Sequence, residues 1–164
     1  MASTSHAPCS LIDRFSLTEK LIMRIGWFGF MAVGAIGMFR QDPLWAMLYV
    51  LCATAAFLLV VLPGLCAHCP YPSQFSTCLF LPAGLVKRFY PYRGPQMSPL
   101  GKIAVAAVMV AMVAVPQFWL IREPALLGVF WVLAVPLIAA FPLHYCRCCR
   151  HEGCPMNRVD GHNL

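Results

Sequence analysis

Four apolar runs, unevenly spaced, decide what this chain can fold into. They cover about 20–39, 44–65, 100–121 and 124–145. Each reaches the roughly 20 residues that a helix needs to cross the hydrocarbon core of a bilayer. The remaining sequence is too short and too apolar for a separate soluble domain: 60% of residues are hydrophobic and 11% charged, against roughly a quarter charged in soluble domains. The expected fold is therefore an all-α integral membrane protein, a single membrane domain over residues 1–164. In lipid, a helix satisfies every backbone polar group within itself. The first run follows about twenty mostly polar residues and has no small-residue cleavage site, so it reads as a span and not as a signal peptide.

The runs are punctuated by helix-start chemistry. Ser16 and Glu19 form an S-x-x-E capping box ahead of the first run, in which each side chain serves a backbone N–H of the other residue. Asp42 and Ser98 precede Pro43 and Pro99, the pattern of an N-cap followed by proline at the first helical position. "RQDP" joins the first two runs and "REP" the last two. Links this short predict two antiparallel hairpins. Between them lies a long segment, Cys66 to Pro99, containing "TCLFLPAGLV" and "KRFYPYR". The former is apolar but too short to span, and is expected to lie along the membrane surface or dip into it. The latter carries the aromatic and basic side chains of a headgroup zone.

Basic residues set the orientation. The net charge of +6 does not indicate nucleic-acid binding, because the cations flank the apolar runs. With four spans, Arg14, Lys20, Arg24, Lys87, Arg88, Arg93, Lys102, Arg147, Arg150 and Arg158 fall on one side; Arg40 and Arg122 fall on the other. The positive-inside rule then places both termini and the middle loop in the cytoplasm, with a bacterial inner membrane as the expected location. Arg24 lies slightly inside the first span, from where it can snorkel to the interface or face the bundle or a lipid phosphate. Small residues at Ala104, Ala107, Ala111 and Ala114, and more loosely at Gly26, Gly29 and Gly37, allow close helix approach. Pro116 and Pro136 are expected to kink their spans.

The second feature is cysteine spacing. Of nine cysteines, Cys9 and Cys52 read as incidental, Cys52 as a small core residue in its span. The other seven sit at the ends of the second and fourth spans, which run toward the same side. Cys66-x2-Cys69 and Cys146-x2-Cys149 are pairs, and Cys154 follows. Two such pairs supply the four thiolates that a tetrahedral zinc or an iron–sulfur cluster needs. Cys69 and Cys154 are each followed by proline, as at ferredoxin-type ligands. The expected metal ligands are drawn from Cys66, Cys69, Cys146, Cys149 and Cys154, within the Cys-rich segments 66–78 and 144–159. Cys78 and Cys148 are left for a second site or as spares, and His68, His144 and His151 as substitutes for a thiolate. A reducing cytosol keeps thiols available for metal, and Arg147 and Arg150 favour thiolates nearby. S-palmitoylation and redox-active disulfides are the competing readings.

These features narrow the function. Paired histidines inside the spans, as a membrane cytochrome b needs, are absent. Ionisable residues in the membrane, expected of a pump, are limited to Arg24. No catalytic acid or base stands out. The expectation is a small membrane protein whose cytoplasmic thiol site holds an iron–sulfur cluster. It would carry electrons between a soluble partner and the membrane quinone pool, as a non-catalytic or electron-transfer subunit of a larger oxidoreductase complex. Two alternatives are a structural zinc site in a membrane scaffold or accessory subunit, and thiol-based metal-ion transport or handling. The expected partners are the lipid bilayer, protein subunits of a membrane complex and quinone, with no nucleic acid.

Overall fold

The computed structural model describes residues 12–150, and every regular element among them is helical. Four helices are long and apolar enough to cross a membrane: Leu17–Phe39, Pro43–Cys66, Pro99–Leu120 and Pro124–Tyr145. The first is α1. The second comprises α2 (Pro43–Ala56) and a wider π-helical stretch, Phe57–Cys66. Two short helices follow, α3 (Pro70–Gln74) and α4 (Ala83–Phe89). The third span is α5 (Pro99–Ala114) followed by α6 (Gln117–Leu120). The fourth is α7 (Pro124–Ala140), then a π-helical turn at Phe141–Tyr145 and a 3-10 turn at Cys146–Cys148.

The helix starts follow the sequence chemistry. Ser16 Oγ accepts from Glu19 N at 3.2 Å, while Glu19 Oε2 accepts from Ser16 N at 2.7 Å, so the capping box is complete. Asp42 Oδ1 accepts from Leu44 N at 3.0 Å, and Ser98 Oγ from Gly101 N at 3.1 Å. The two internal prolines behave differently. Pro116 ends α5, and the span resumes at Gln117. Pro136 lies inside an unbroken α7.

The bundle is built around α1, which packs most extensively on α7 and also on α2 and α6. Gly26 and Gly37 explain the closeness: a Cβ on Gly26 would lie 2.9 Å from Leu137, and one on Gly37 2.5 Å from Leu120. Without side chains there, the helices approach until dispersion contacts form along their lengths. Trp27, Phe30 and Phe130 fill the interior, with Phe30 edge-on to both Trp27 and Phe130. α5 packs on the Phe57–Cys66 stretch, where Gly64 admits Val105, and touches α2 only slightly. The alanine stripe behaves otherwise than expected. Ala107, Ala111 and Ala114 point outward, and no other part of the described chain covers them. Cys52 is also exposed and not a core residue. It lines a shallow apolar groove between α2 and α5, together with Trp45, Tyr49 and Ala111.

Polar lacing closes the end of the bundle away from the thiols. Arg40 pairs with Glu123 at 3.3 Å, Gln41 Nε2 donates to Trp119 O at 2.8 Å, and Arg122 Nη1 donates to Gln41 Oε1 at 3.3 Å. At the opposite end, "TCLFLPAGLV" does not form one continuous element. Pro82 starts α4, and the residues before it tuck among the helix ends, with Phe80 against Trp27 and stacked on Phe141.

Candidate thiol centre

Both spans that deliver cysteines widen just before doing so. The second becomes π-helical over Phe57–Cys66 and contains Pro63; the fourth becomes π-helical over Phe141–Tyr145 and contains Pro142. Proline has no N–H to donate and crowds the carbonyl four residues back, which weakens the α-ladder locally, although α7 carries Pro136 without widening. A shift to the wider i→i+5 pattern accommodates it, and such stretches recur at functional sites. Cys66 closes the first π segment and Cys146 directly follows the second. Each thiol-bearing span carries a proline three or four residues before its first terminal cysteine, a signal present in the sequence itself.

The chain then turns sharply. Cys69 N donates to Cys66 O at 3.4 Å. Cys69 is extended (φ −83°, ψ 127°), the conformation that a following proline favours, and Pro70 starts α3. This places Tyr71, only 2% exposed, at the centre of the site. Its ring lies 4.9 Å from Phe15 and 5.7 Å from Phe75. Its carbonyl accepts from Phe75 N and Thr77 N, both at 3.2 Å. Between them, Ser76 takes φ +50°, a left-handed conformation that costs a non-glycine residue energy. Lys87 Nζ holds Ser76 by donating to its Oγ at 2.9 Å.

That turn brings Cys78 back to the end of the second span, where Cys66 donates a hydrogen bond to it. The bond holds the Cys78 thiol below its ordinary value; the Leu81 and Phe80 amides and the Arg24 charge add to the effect, against burial. Arg24 thus faces inward toward the thiols, and its buried Nε has no hydrogen-bond partner. Thr77, 4% exposed, also leaves its hydroxyl unpartnered within the same turn.

The C-terminal segment meets this loop at Tyr71. Tyr71 Oη donates to Ile12 O at 2.9 Å and accepts from Arg150 N at 3.2 Å. Arg150 pairs with Asp13 at 2.6 Å. Burial pushes the Tyr71 phenol up, and Cys149, hydrogen-bonded to it, and the nearby Cys69 push it further. The N-terminal segment, the middle loop and the tail therefore converge on one side chain, with Cys149 bonded to it and Cys69 nearby.

Among the sequence-predicted ligands, Cys66 and Cys69 line one cavity, Cys149 is hydrogen-bonded to Tyr71, and Cys146 is buried at the end of the fourth span. Cys154 and His151 lie outside the described residues. Cys78, left for a second site or as a spare, is hydrogen-bonded to Cys66. Cys148 is disulfide-bonded and drops out as a ligand. His144 points away, 3.8 Å from Glu19. His68 Nδ1 lies 2.8 Å from Gly94 O. A carbonyl only accepts, so Nδ1 carries the proton and the lone pair of the neutral ring is on Nε2. Among the described residues, no three His, Cys, Asp or Glu side chains come together in a group that could hold a metal ion. No known protein family, characterised protein or solved structure matches this chain.

Proposed function

We propose that this chain is a membrane subunit whose thiol end holds an iron–sulfur cluster, passing electrons between a soluble partner and quinone in the bilayer. The observation that carries the reading is the convergence at Tyr71, where thiol segments about eighty residues apart in sequence flank one buried hydroxyl. The ligands would come from Cys66, Cys69, Cys146 and Cys149, completed by Cys154. Clusters of this kind are held by four thiolates. The described residues offer more thiols than a single four-cysteine zinc knot needs. The spans would form two antiparallel hairpins with the thiol end in the cytoplasm, as the basic residues favour. The Cys148 disulfide is the feature that points the other way, since disulfides persist in oxidising compartments.

Arg24 supports a charged occupant. A buried guanidinium edge beside thiols would offset the negative charge of a thiolate-bound cluster, and such charges tune cluster potentials. Anaerobic purification followed by iron and sulfide analysis and EPR tests the proposal. A reducible signal with stoichiometric iron supports it; colourless, iron-free protein ends it. The three-way junction at Tyr71 favours a second reading, a zinc site that ties the segments together. Stoichiometric zinc without a redox signal would select that one.

A further inference from the structure

One cavity opens beside Cys66 and Cys69. It measures about 300 Å³, at the lower end of volumes that take small organic ligands. Cys66 and Cys69 border one side. Pro72, Tyr90, Pro91 and Tyr92 supply flat apolar walls, and Ser73 and Lys87 add the polar groups.

The walls are fixed. Tyr90 Oη donates to Leu58 O at 2.9 Å, tying the cavity to the last turns of the second span. Arg93 N donates to Ala67 O at 2.7 Å, and His68 bonds Gly94 O, so the Tyr90–Gly94 strip is laced to the end of that span. Lys87 spends one N–H on Ser76 Oγ and retains two more donors. Leu58 and the neighbouring Leu59, both exposed, give an apolar approach along the span.

We infer that this cavity binds the ring of a membrane quinone, one carbonyl oxygen facing Lys87 and its plane against Tyr90 and Tyr92; the Ser73 hydroxyl is spent on Pro70 O at 3.1 Å. The chemistry selects that class. The Lys87 ammonium calls for an oxygen acceptor and repels cations. Aromatic and proline walls favour a planar ring over a tetrahedral phosphate. An apolar approach along a span suits a ligand carried in the bilayer. The inference rests on the electron-transfer reading for its purpose, because the ring would lie beside Cys66 and Cys69, but the binding itself requires no metal.

Equilibrium dialysis of the full-length protein in neutral detergent, with a decyl-substituted, fully ring-substituted benzoquinone, tests it. Full substitution matters, since an open ring position would alkylate a thiol. The expected result is one quinone per chain, bound equally by as-purified and chelator-treated protein. Tyr92→Ala and Lys87→Ala should each weaken binding roughly tenfold, the size of one ring contact or one charge-assisted hydrogen bond, and Tyr92→Phe should leave it unchanged. Tyr92 is 39% exposed, so truncating it leaves the core intact. Absence of saturable binding, binding indifferent to both alanine variants, or displacement by equimolar anionic phospholipid would each overturn the inference. Iron-loaded protein that binds no quinone overturns this site and leaves the cluster standing. Quinone binding by protein purified without iron keeps the site and removes the cluster.

Discussion

Removing one oxygen atom separates the two things Tyr71 does. Tyr71→Phe keeps the ring against Phe15 and Phe75 but deletes the hydroxyl that donates to Ile12 O and accepts from Arg150 N. At about 0.5–1.5 kcal/mol for each net hydrogen bond, the two together are worth roughly 1–3 kcal/mol. Tyr71→Ala also loses a buried aromatic side chain, a further loss on the scale of about 3–5 kcal/mol. Thermal unfolding in detergent should therefore rank wild type above Tyr71→Phe, and Tyr71→Phe well above Tyr71→Ala. The second consequence concerns metal. The hydroxyl is bonded to Cys149 and lies near Cys69, and losing such an outer partner typically costs 10–100-fold in metal affinity, or roughly 1.4–2.7 kcal/mol. Chelator competition on Tyr71→Phe should show that loss while the protein stays folded. If Tyr71→Phe retains metal as tightly as wild type while Cys69→Ser loses it, the thiols do not depend on the junction, and the argument from convergence fails.

Four further outcomes follow from the same structure. Cys66→Ser should abolish stoichiometric metal, while Cys52→Ser, exposed in the middle of a span, should leave it intact by elemental analysis. Gly37→Ala drives a Cβ to 2.5 Å from Leu120 Cδ2 and should destabilise by about 1–3 kcal/mol, whereas Gly128→Ala meets nothing within 4 Å and should leave the melting temperature at or above wild type. Glu123→Gln removes an exposed ion pair, 59% and 32% accessible, and should change stability by no more than about 1 kcal/mol. In intact cells, a membrane-impermeant maleimide should fail to reach Cys69 until the membrane is opened; labelling from outside would reverse the proposed orientation.

The fold was legible where local chemistry and length acted together. The capping box at Ser16 and Glu19 and the cap-proline pairs at Asp42–Pro43 and Ser98–Pro99 fixed the helix starts to within a few residues. Each is a contact between near neighbours in sequence. Which helices pack together was less legible, because it depends on shape. The alanines of α5 look like a packing face, yet the close approaches in the structure use Gly26, Gly37 and Gly64. Alanine permits close approach without requiring it. Glycine permits closer approach still, and α1 met the fourth span along that face.

Spacing alone left Cys78 and Cys148 undecided, for a common reason. C-x2-C places two thiols within reach of one another by local geometry, so Cys66 and Cys69 were found. Cys78 stands nine residues beyond Cys69, and only a left-handed Ser76, held by Lys87 from a different helix, folds it back onto Cys66. Nothing in a spacing rule encodes that turn. Cys148, left as a spare, lies between two predicted ligands, and the 3-10 turn at Cys146–Cys148 gives successive residues directions about 120° apart. Neighbouring cysteines in such a turn cannot all face one centre. A thiol's place in the site is therefore set by the backbone that presents it, and at both span ends that backbone is widened at a proline just before the first cysteine.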